Sequence, residues 1–229
     1  MNDQAERIQR LFGGDEFKFA RWRGPVCPVI VGVDDKSVRL FEEAIRAIAE
    51  VAGAEIDEID PELGANFQIY VFGSWDQAKR APNLPNFLPD LDDLIGRLTE
   101  ANANRYRVFA FDDAGAIRAA ITLLRYDEQM QAAPVDYIAL TEATLGMLVF
   151  DEVGVANDRP IVMARFENGD ARAILTPWHA KLLKAAYDPA IPAGSKDPNL
   201  ALRLAARIDV QDGDAAYGAD DDNGDGDGA

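Results

Sequence analysis

Residues 137–147, YIALTEATLGM, follow two apolar runs and a short polar connection. Pro134 and Asp136 provide a helix start, and we predict a helix over residues 135–151. Glu142 is the one charged residue in the stretch, and most residues around it are apolar. The sequence therefore predicts a helix that packs against a core and carries a single carboxylate in its middle.

The patterns around this helix predict an α+β domain in which a mixed sheet packs against helices. Just before it, DDAG at residues 112–115 joins two apolar runs, which is the clearest hairpin pattern in the chain. A β-α-β-β half precedes the hairpin, and a proline-rich loop over residues 81–89 separates the two. The predicted helices are residues 4–11, 38–51, 90–101, 135–151, 178–187 and 198–208, and the predicted strands are residues 17–22, 25–33, 55–59, 66–72, 106–111, 117–124 and 161–166.

Length and charge predict one domain with an acidic tail. We divide the 229 residues into an N-terminal helical segment (1–16), a single domain (17–211) and a disordered tail (212–229). The formal net charge is −17, and residues 1–211 keep a balance of −10, from 33 acidic and 23 basic residues. Such a surface repels phosphate backbones, so we expect no nucleic-acid partner.

The remaining composition predicts a cytoplasmic protein. No apolar run approaches the roughly 18 residues of a membrane span. The first residues contain neither a signal-peptide pattern nor a lipobox cysteine. The single cysteine, Cys27, lies in an apolar, proline-flanked run, and we expect it to be a buried thiol rather than a nucleophile.

Glu142 occupies the place of the glutamate in the zinc motif H-E-x-x-H. In that motif two histidines on one helix face bind the metal, and the glutamate polarises a water molecule. Here Thr141 and Leu145 stand where the motif has histidines, and His179 is the only histidine in the chain. A catalytic zinc held by two or three histidines is therefore impossible, and we predict no metal site and no cofactor.

Glu142 and His179 are the two weak candidates for catalysis. We expect Glu142 to face solvent, and the alternative is an apolar pocket that raises its pKa and makes it a general acid or base. His179 is the second residue of a predicted helix, where the helix dipole disfavours a charged imidazole. We expect a neutral, partly buried histidine with a capping or packing role.

Three stretches resemble an uncharacterised proteobacterial domain family whose members are often described as candidate lipoproteins. They are residues 19–26 (FARWRGPV), 65–70 (ANFQIY) and 174–194 (ILTPWHAKLLKAAYDPAIPAG), spread over about residues 17–208. The resemblance implies a bacterial protein with relatives that are exported, and His179 stands where the family has an aspartate. This family has no established activity, so the resemblance implies none for this chain.

The order of elements is also similar to that of zincin-type metallopeptidases. The similarity implies a zincin-like sheet and a degenerate catalytic helix, and so a pseudoenzyme. We therefore predict a non-catalytic domain that binds a peptide or a partner protein at the sheet edge or in the groove beside residues 135–151. One alternative is a metal-independent hydrolase with Glu142 as general base and His179, Tyr137 or Tyr187 nearby. Another is a structural or accessory subunit with an exposed apolar patch.

Overall fold

The structure is a computed structural model that describes residues 3–60, 62–82 and 84–220. The helices of this part are α1 (Asp3–Leu11), α2 (Asp35–Ala52), α3 (Trp75–Ala78), α4 (Leu84–Phe87), α5 (Leu91–Glu100), α6 (Glu128–Gln131), α7 (Val135–Met147), α8 (Glu152–Asn157), α9 (Pro177–Ala186) and α10 (Leu200–Asp220), with a 3-10 turn at Gly14–Glu16. The strands are β1 (Phe19–Ala20), β2 (Pro28–Val31), β3 (Phe67–Phe72), β4 (Arg105–Phe111), β5 (Ile117–Arg125), β6 (Ile161–Arg165), β7 (Ala171–Leu175) and β8 (Gly194–Ser195).

Four strands form a mixed sheet in the order β2-β3-β5-β4. Strands β2, β3 and β5 run parallel, and β4 joins β5 as an antiparallel hairpin partner at one edge. Two further pairs, β1 with β8 and β6 with β7, are antiparallel. The predicted α+β class, with a mixed sheet packed against helices, is confirmed.

Helices cover both faces of the sheet, which explains the nearly continuous apolar run of β3. Phe67, Ile69 and Val71 pack into a core that includes α2 and α7. Tyr70 and Phe72, at alternate positions, pack into a second core that includes α3 and α5. Successive side chains of a strand point to opposite faces, so every residue of β3 is buried.

Helix α7 lies very close to the sheet at Gly146. A Cβ atom at this position would lie 2.2 Å from the ring of Phe67. The indole Nε1 of Trp22 donates to the carbonyl of the same glycine at 2.9 Å. Glycine at this position therefore allows the helix that carries Glu142 to lie directly on β3.

Several predicted boundaries were wrong. Helix α7 ends at Met147 instead of residue 151, because the next residues are extended and Val149 donates to the carbonyl of Ala20. The strand predicted over residues 55–59 is a single bridge at Ile56. The proline-rich loop contains α4, and β7 completes a hairpin of which only the first strand was predicted.

The tail predicted to be disordered is helical at its start, since α10 continues to Asp220. Residues 221–229 lie outside the described residues. Among the residues that the structure describes, no helix has the length and apolar character required to cross a membrane.

Candidate functional site

Glu142 is completely buried in the middle of α7, with an exposed fraction of 0%. The expectation that it faces solvent is therefore wrong. Its two carboxylate oxygens contact two arginines of β4. Oε2 accepts a short hydrogen bond from Arg107, and Oε1 lies 2.6 Å from Nε of Arg105. The Arg105 contact lacks hydrogen-bond alignment and is an ion pair by distance only.

Arg107 is the inner arginine of this cluster, since its side chain is 13% exposed and that of Arg105 is 39% exposed. Its Nε donates to Oγ1 of Thr122 on β5 at 3.1 Å. Burial lowers the pKa of the Arg107 guanidinium, and the carboxylate of Glu142 opposes this shift. The carboxylate therefore stabilises a charge that burial disfavours, and the two groups are mutually dependent.

The strand pattern explains why both arginines reach the same carboxylate. Arg105 and Arg107 are two residues apart in β4, so their side chains point to the same face of the sheet. Arg107 pairs directly with Thr122 in the antiparallel ladder, which explains the hydrogen bond between their side chains. The sequence RYRVFAF contains a signal for this arrangement, because its two arginines occupy alternate positions in an otherwise apolar strand.

A groove of about 310 Å³ opens beside this cluster, between β4 and the segment that follows α7. The two arginines line it together with the acidic residues Asp151 and Glu152 and the apolar residues Leu145, Phe150 and Val155. Apolar walls with a few charged groups are typical of surfaces that bind a ligand of mixed character.

Within the described part of the chain, β4 is an edge strand of the sheet, and some of its backbone groups point outward next to this groove. Arg125 donates its backbone N–H to the carbonyl of Asn104 at 2.8 Å, just before the ladder begins at Arg105. Hydrogen-bonded and non-hydrogen-bonded pairs alternate along an antiparallel ladder. Arg105, Arg107 and Phe109 therefore direct their backbone N–H and C=O groups away from β5, toward the open edge.

His179 lies in a different cluster, near the start of α9, and is 2% exposed. Its Nδ1 lies 2.7 Å from Oγ1 of Thr176, the residue that caps the helix. Its Nε2 is 3.7 Å from Asp158, whose carboxylate is hydrogen-bonded to Arg7. Burial lowers the pKa of His179 to about 4, although Asp158 opposes the shift. The imidazole is therefore neutral at physiological pH.

The structure does not bring the predicted catalytic residues together. Glu142 contacts β4, whereas His179 contacts Thr176 and faces Asp158 at the end of α8. The Tyr187 hydroxyl donates to the carbonyl of Met147 at 2.9 Å, and burial raises its pKa. Within the described residues, no hydrogen bond or ion pair links Glu142 to His179, Tyr137 or Tyr187.

The residues at the zinc-motif positions are also poorly suited to bind a metal ion. Thr141, at the place of the first histidine of the zinc motif, donates its hydroxyl to the carbonyl of Tyr137 at 2.7 Å. No group of three or more His, Cys, Asp or Glu side chains in the described part of the chain is placed to hold a metal. Cys27 is buried, as predicted, and burial raises its pKa.

No family model, no curated protein and no solved structure matches this chain.

Proposed function

We propose that this protein is a non-catalytic binding domain that takes up an extended segment of a partner protein along the free edge of β4. The observation that carries the proposal is a seven-residue edge strand with a groove beside it and two arginines at that groove. An extended peptide that adds to a sheet edge gains main-chain hydrogen bonds, and its alternate side chains enter adjacent pockets.

The groove beside the edge defines the chemistry of the segment. The side chain of Arg105 is partly exposed, so an acidic side chain of the partner can pair with it. Leu145, Phe150 and Val155 offer apolar surface next to that charge. We therefore propose a segment in which an acidic residue and an apolar residue occupy alternate positions on the same face of the added strand.

The environment of Glu142 favours binding over hydrolysis. A general base must be free to accept a proton from water or substrate. Both oxygens of Glu142 are held by guanidinium groups, and the carboxylate is closed off from solvent. The hydrolase alternative further requires His179 or a tyrosine beside it, and their contacts lie elsewhere.

The relation to zincins and to the proteobacterial domain family is also a proposal. The succession β2, α2, β3, then the β4–β5 hairpin and α7, keeps part of the predicted element order but lacks the strand predicted over residues 55–59. Two arginines of the edge strand β4 contact the glutamate of α7. In this proposal, Arg105 and Arg107 neutralise the carboxylate that remained after the zinc ligands were lost.

A screen of random peptides tests the proposed function, with hydrogen exchange as the readout. In the free protein, we expect fast exchange at the outward amides of Arg105, Arg107 and Phe109 and slow exchange at those of Tyr106 and Val108. Bound peptides should protect the three outward amides and should be enriched in acidic residues. Protection elsewhere, with β4 unchanged, would overturn the proposal.

Matched arginine variants test the role of charge. Arg105→Gln should weaken binding of the selected peptides by about two- to fivefold, because an exposed charge pair is lost. Arg97→Gln, on α5 at the opposite face of the sheet, should leave it unchanged. Equal effects of the two variants would show that the peptides respond to net charge rather than to the β4 edge.

A further inference from the structure

A second cavity lies away from β4, at the carboxyl ends of the parallel strands β2, β3 and β5. Its volume is about 450 Å³, and its walls include the first turns of α2 and α7. In open α/β sheets, crevices at the carboxyl ends of parallel strands are the usual place for small ligands. The size falls within the range of small-molecule pockets.

Two glycines keep the strand ends free of side chains at this cavity. Gly32 follows β2 with φ of +92°, and a Cβ atom there would lie 2.0 Å from the carbonyl oxygen of Val71. Gly73 follows β3, and its N–H donates to Oε1 of Gln77 at 2.8 Å. Any other residue at position 32 would clash with the neighbouring strand, so the opening depends on glycine.

The walls of the cavity are apolar and aromatic. Met130 and Ile138 contribute aliphatic surface, and Phe41 and Tyr126 contribute two aromatic residues. Aromatic faces attract cations, and the attraction grows when the cation is partly desolvated. These walls therefore suit an apolar body and tolerate a positive charge.

Asp34 is the one charged residue among the lining residues of this cavity. It caps α2, and its Oδ1 accepts the N–H of Ser37 at 2.8 Å. This backbone hydrogen bond lowers the pKa of Asp34, so the carboxylate is ionised at neutral pH. Among the described residues that line the cavity there is no lysine, arginine or histidine, so the lining offers an anionic ligand no basic side chain.

We propose that this cavity binds a small organic amine, with its apolar body among Phe41, Met130 and Ile138 and its ammonium group beside Asp34. The aromatic residues and the carboxylate act on the same positive charge, while the rest of the lining contacts the apolar body. This site is independent of peptide binding at β4.

Three probes of equal size distinguish the proposal from simple apolar binding: 2-phenylethylamine, 2-phenylethanol and phenylacetate. We expect the amine to bind at least about tenfold more tightly than the alcohol, and the anion to bind least. Amide chemical shifts of Val33 and Ser37 should move on titration, whereas those of β4 should not. Phenylacetate that binds as tightly as the amine, or an amine that leaves these shifts unchanged, would overturn the proposal.

Matched variants at the mouth of the cavity assign the charge effect. Asp34→Asn keeps an N-cap residue, because asparagine caps as well as aspartate. It should remove the preference for the amine over the alcohol. Asp35→Asn changes the net charge equally at an exposed residue that does not line the cavity, and it should retain the preference. Equal losses in the two variants would contradict a specific role of Asp34.

A blocking variant tests the location without altering the core. Ser37 is partly exposed at the cavity mouth, so Ser37→Phe should fill the entrance and abolish binding of all three probes. Unchanged amine binding in Ser37→Phe would place the amine elsewhere. Arg105→Gln should leave amine binding intact, so failure at this cavity and failure at the β4 edge are distinguishable.

Discussion

Glu142 and His179 are buried to nearly the same extent, yet Glu142 is ion-paired and His179 is neutral. Glu142 lies between two arginines of a neighbouring strand. His179 has an acidic neighbour, Asp158, but at 3.7 Å, and that carboxylate is already paired with Arg7. Burial alone therefore does not decide a charge state. The deciding factor is whether a partner of opposite charge reaches the group in the folded chain.

The two clusters also differ in the change that would make them destabilise the folded protein. A buried carboxylate is tolerated only when its partners remain, and removal of one partner leaves an uncompensated charge. A neutral imidazole avoids this cost near pH 7 and incurs it only when the pH falls. The Glu142 cluster should thus be sensitive to substitution, and the His179 cluster to acid.

Loss of the inner arginine should have the largest effect. We expect Arg107→Met to lower the free energy of unfolding by about 3–5 kcal/mol, because Glu142 stays buried without its closest partner. Urea unfolding measures the change. The double variant Arg107→Met/Glu142→Leu removes both charges and should recover most of the loss. A loss below about 1 kcal/mol in the single variant would show that water reaches Glu142.

Acid should act mainly on the other cluster. The pKa of His179 is lowered from 6.5 to about 4 in the folded protein, so the unfolded chain binds the proton more readily. This contribution to stability is complete above pH 6.5, is lost as the pH falls toward 4, and amounts to about 3 kcal/mol.

Urea unfolding of wild type and His179→Leu at pH 7 and pH 4 isolates this contribution. Carboxylates titrate in both proteins, so only the difference between them reports on His179. We expect the wild type to lose about 3 kcal/mol more than the variant between the two pH values. Equal losses would contradict a neutral imidazole.

The hydrogen bond between Arg107 and Thr122 should have an intermediate effect. Thr122→Val leaves Nε of a buried guanidinium without its acceptor, and we expect a loss of about 1.5–3 kcal/mol in the free energy of unfolding. Thr144→Val is the matched control, because the buried Thr144 hydroxyl donates only to a carbonyl of its own helix. Similar losses in both variants would mean that the orientation of Arg107 does not depend on Thr122.

The outer arginine should matter least to stability. Arg105 is 39% exposed, so water replaces much of what the ion pair contributes. We expect Arg105→Met to lower the free energy of unfolding by about 1 kcal/mol or less. Thermal unfolding of Arg105→Met and Arg107→Met under the same conditions compares the two arginines directly. A loss as large as that of Arg107→Met would show that both arginines are required to keep Glu142 buried.

The smallest effect concerns the neighbour of His179. The chain has one histidine, so a single imidazole Cε1 proton signal reports its titration by NMR. Asp158 raises the pKa of His179 against the larger influence of burial. Asp158→Asn should therefore move the pKa further below 4. A rise in the pKa would mean that the carboxylate does not act on the imidazole.

Local sequence patterns predicted the secondary-structure elements that form the site but not the contacts between their side chains. The β4–β5 hairpin and the start of α7 followed from turn residues and apolar runs close together in sequence. The burial of Glu142 did not, because its partner Arg107 lies 35 residues away on another element. The early end of α7 depends on backbone pairing with Ala20, which is even more distant along the chain.

Composition alone excluded a zinc site of two or three histidines, since one histidine cannot supply them, and local patterns predicted the longer helices and the β4–β5 hairpin. The environments of Glu142 and His179 depend on contacts between distant parts of the chain. Glu142 became an ion-paired, buried anion because the pleat of β4 directs two arginines to the same face. His179 became a neutral packing residue because burial lowers its pKa more than Asp158, at 3.7 Å, raises it.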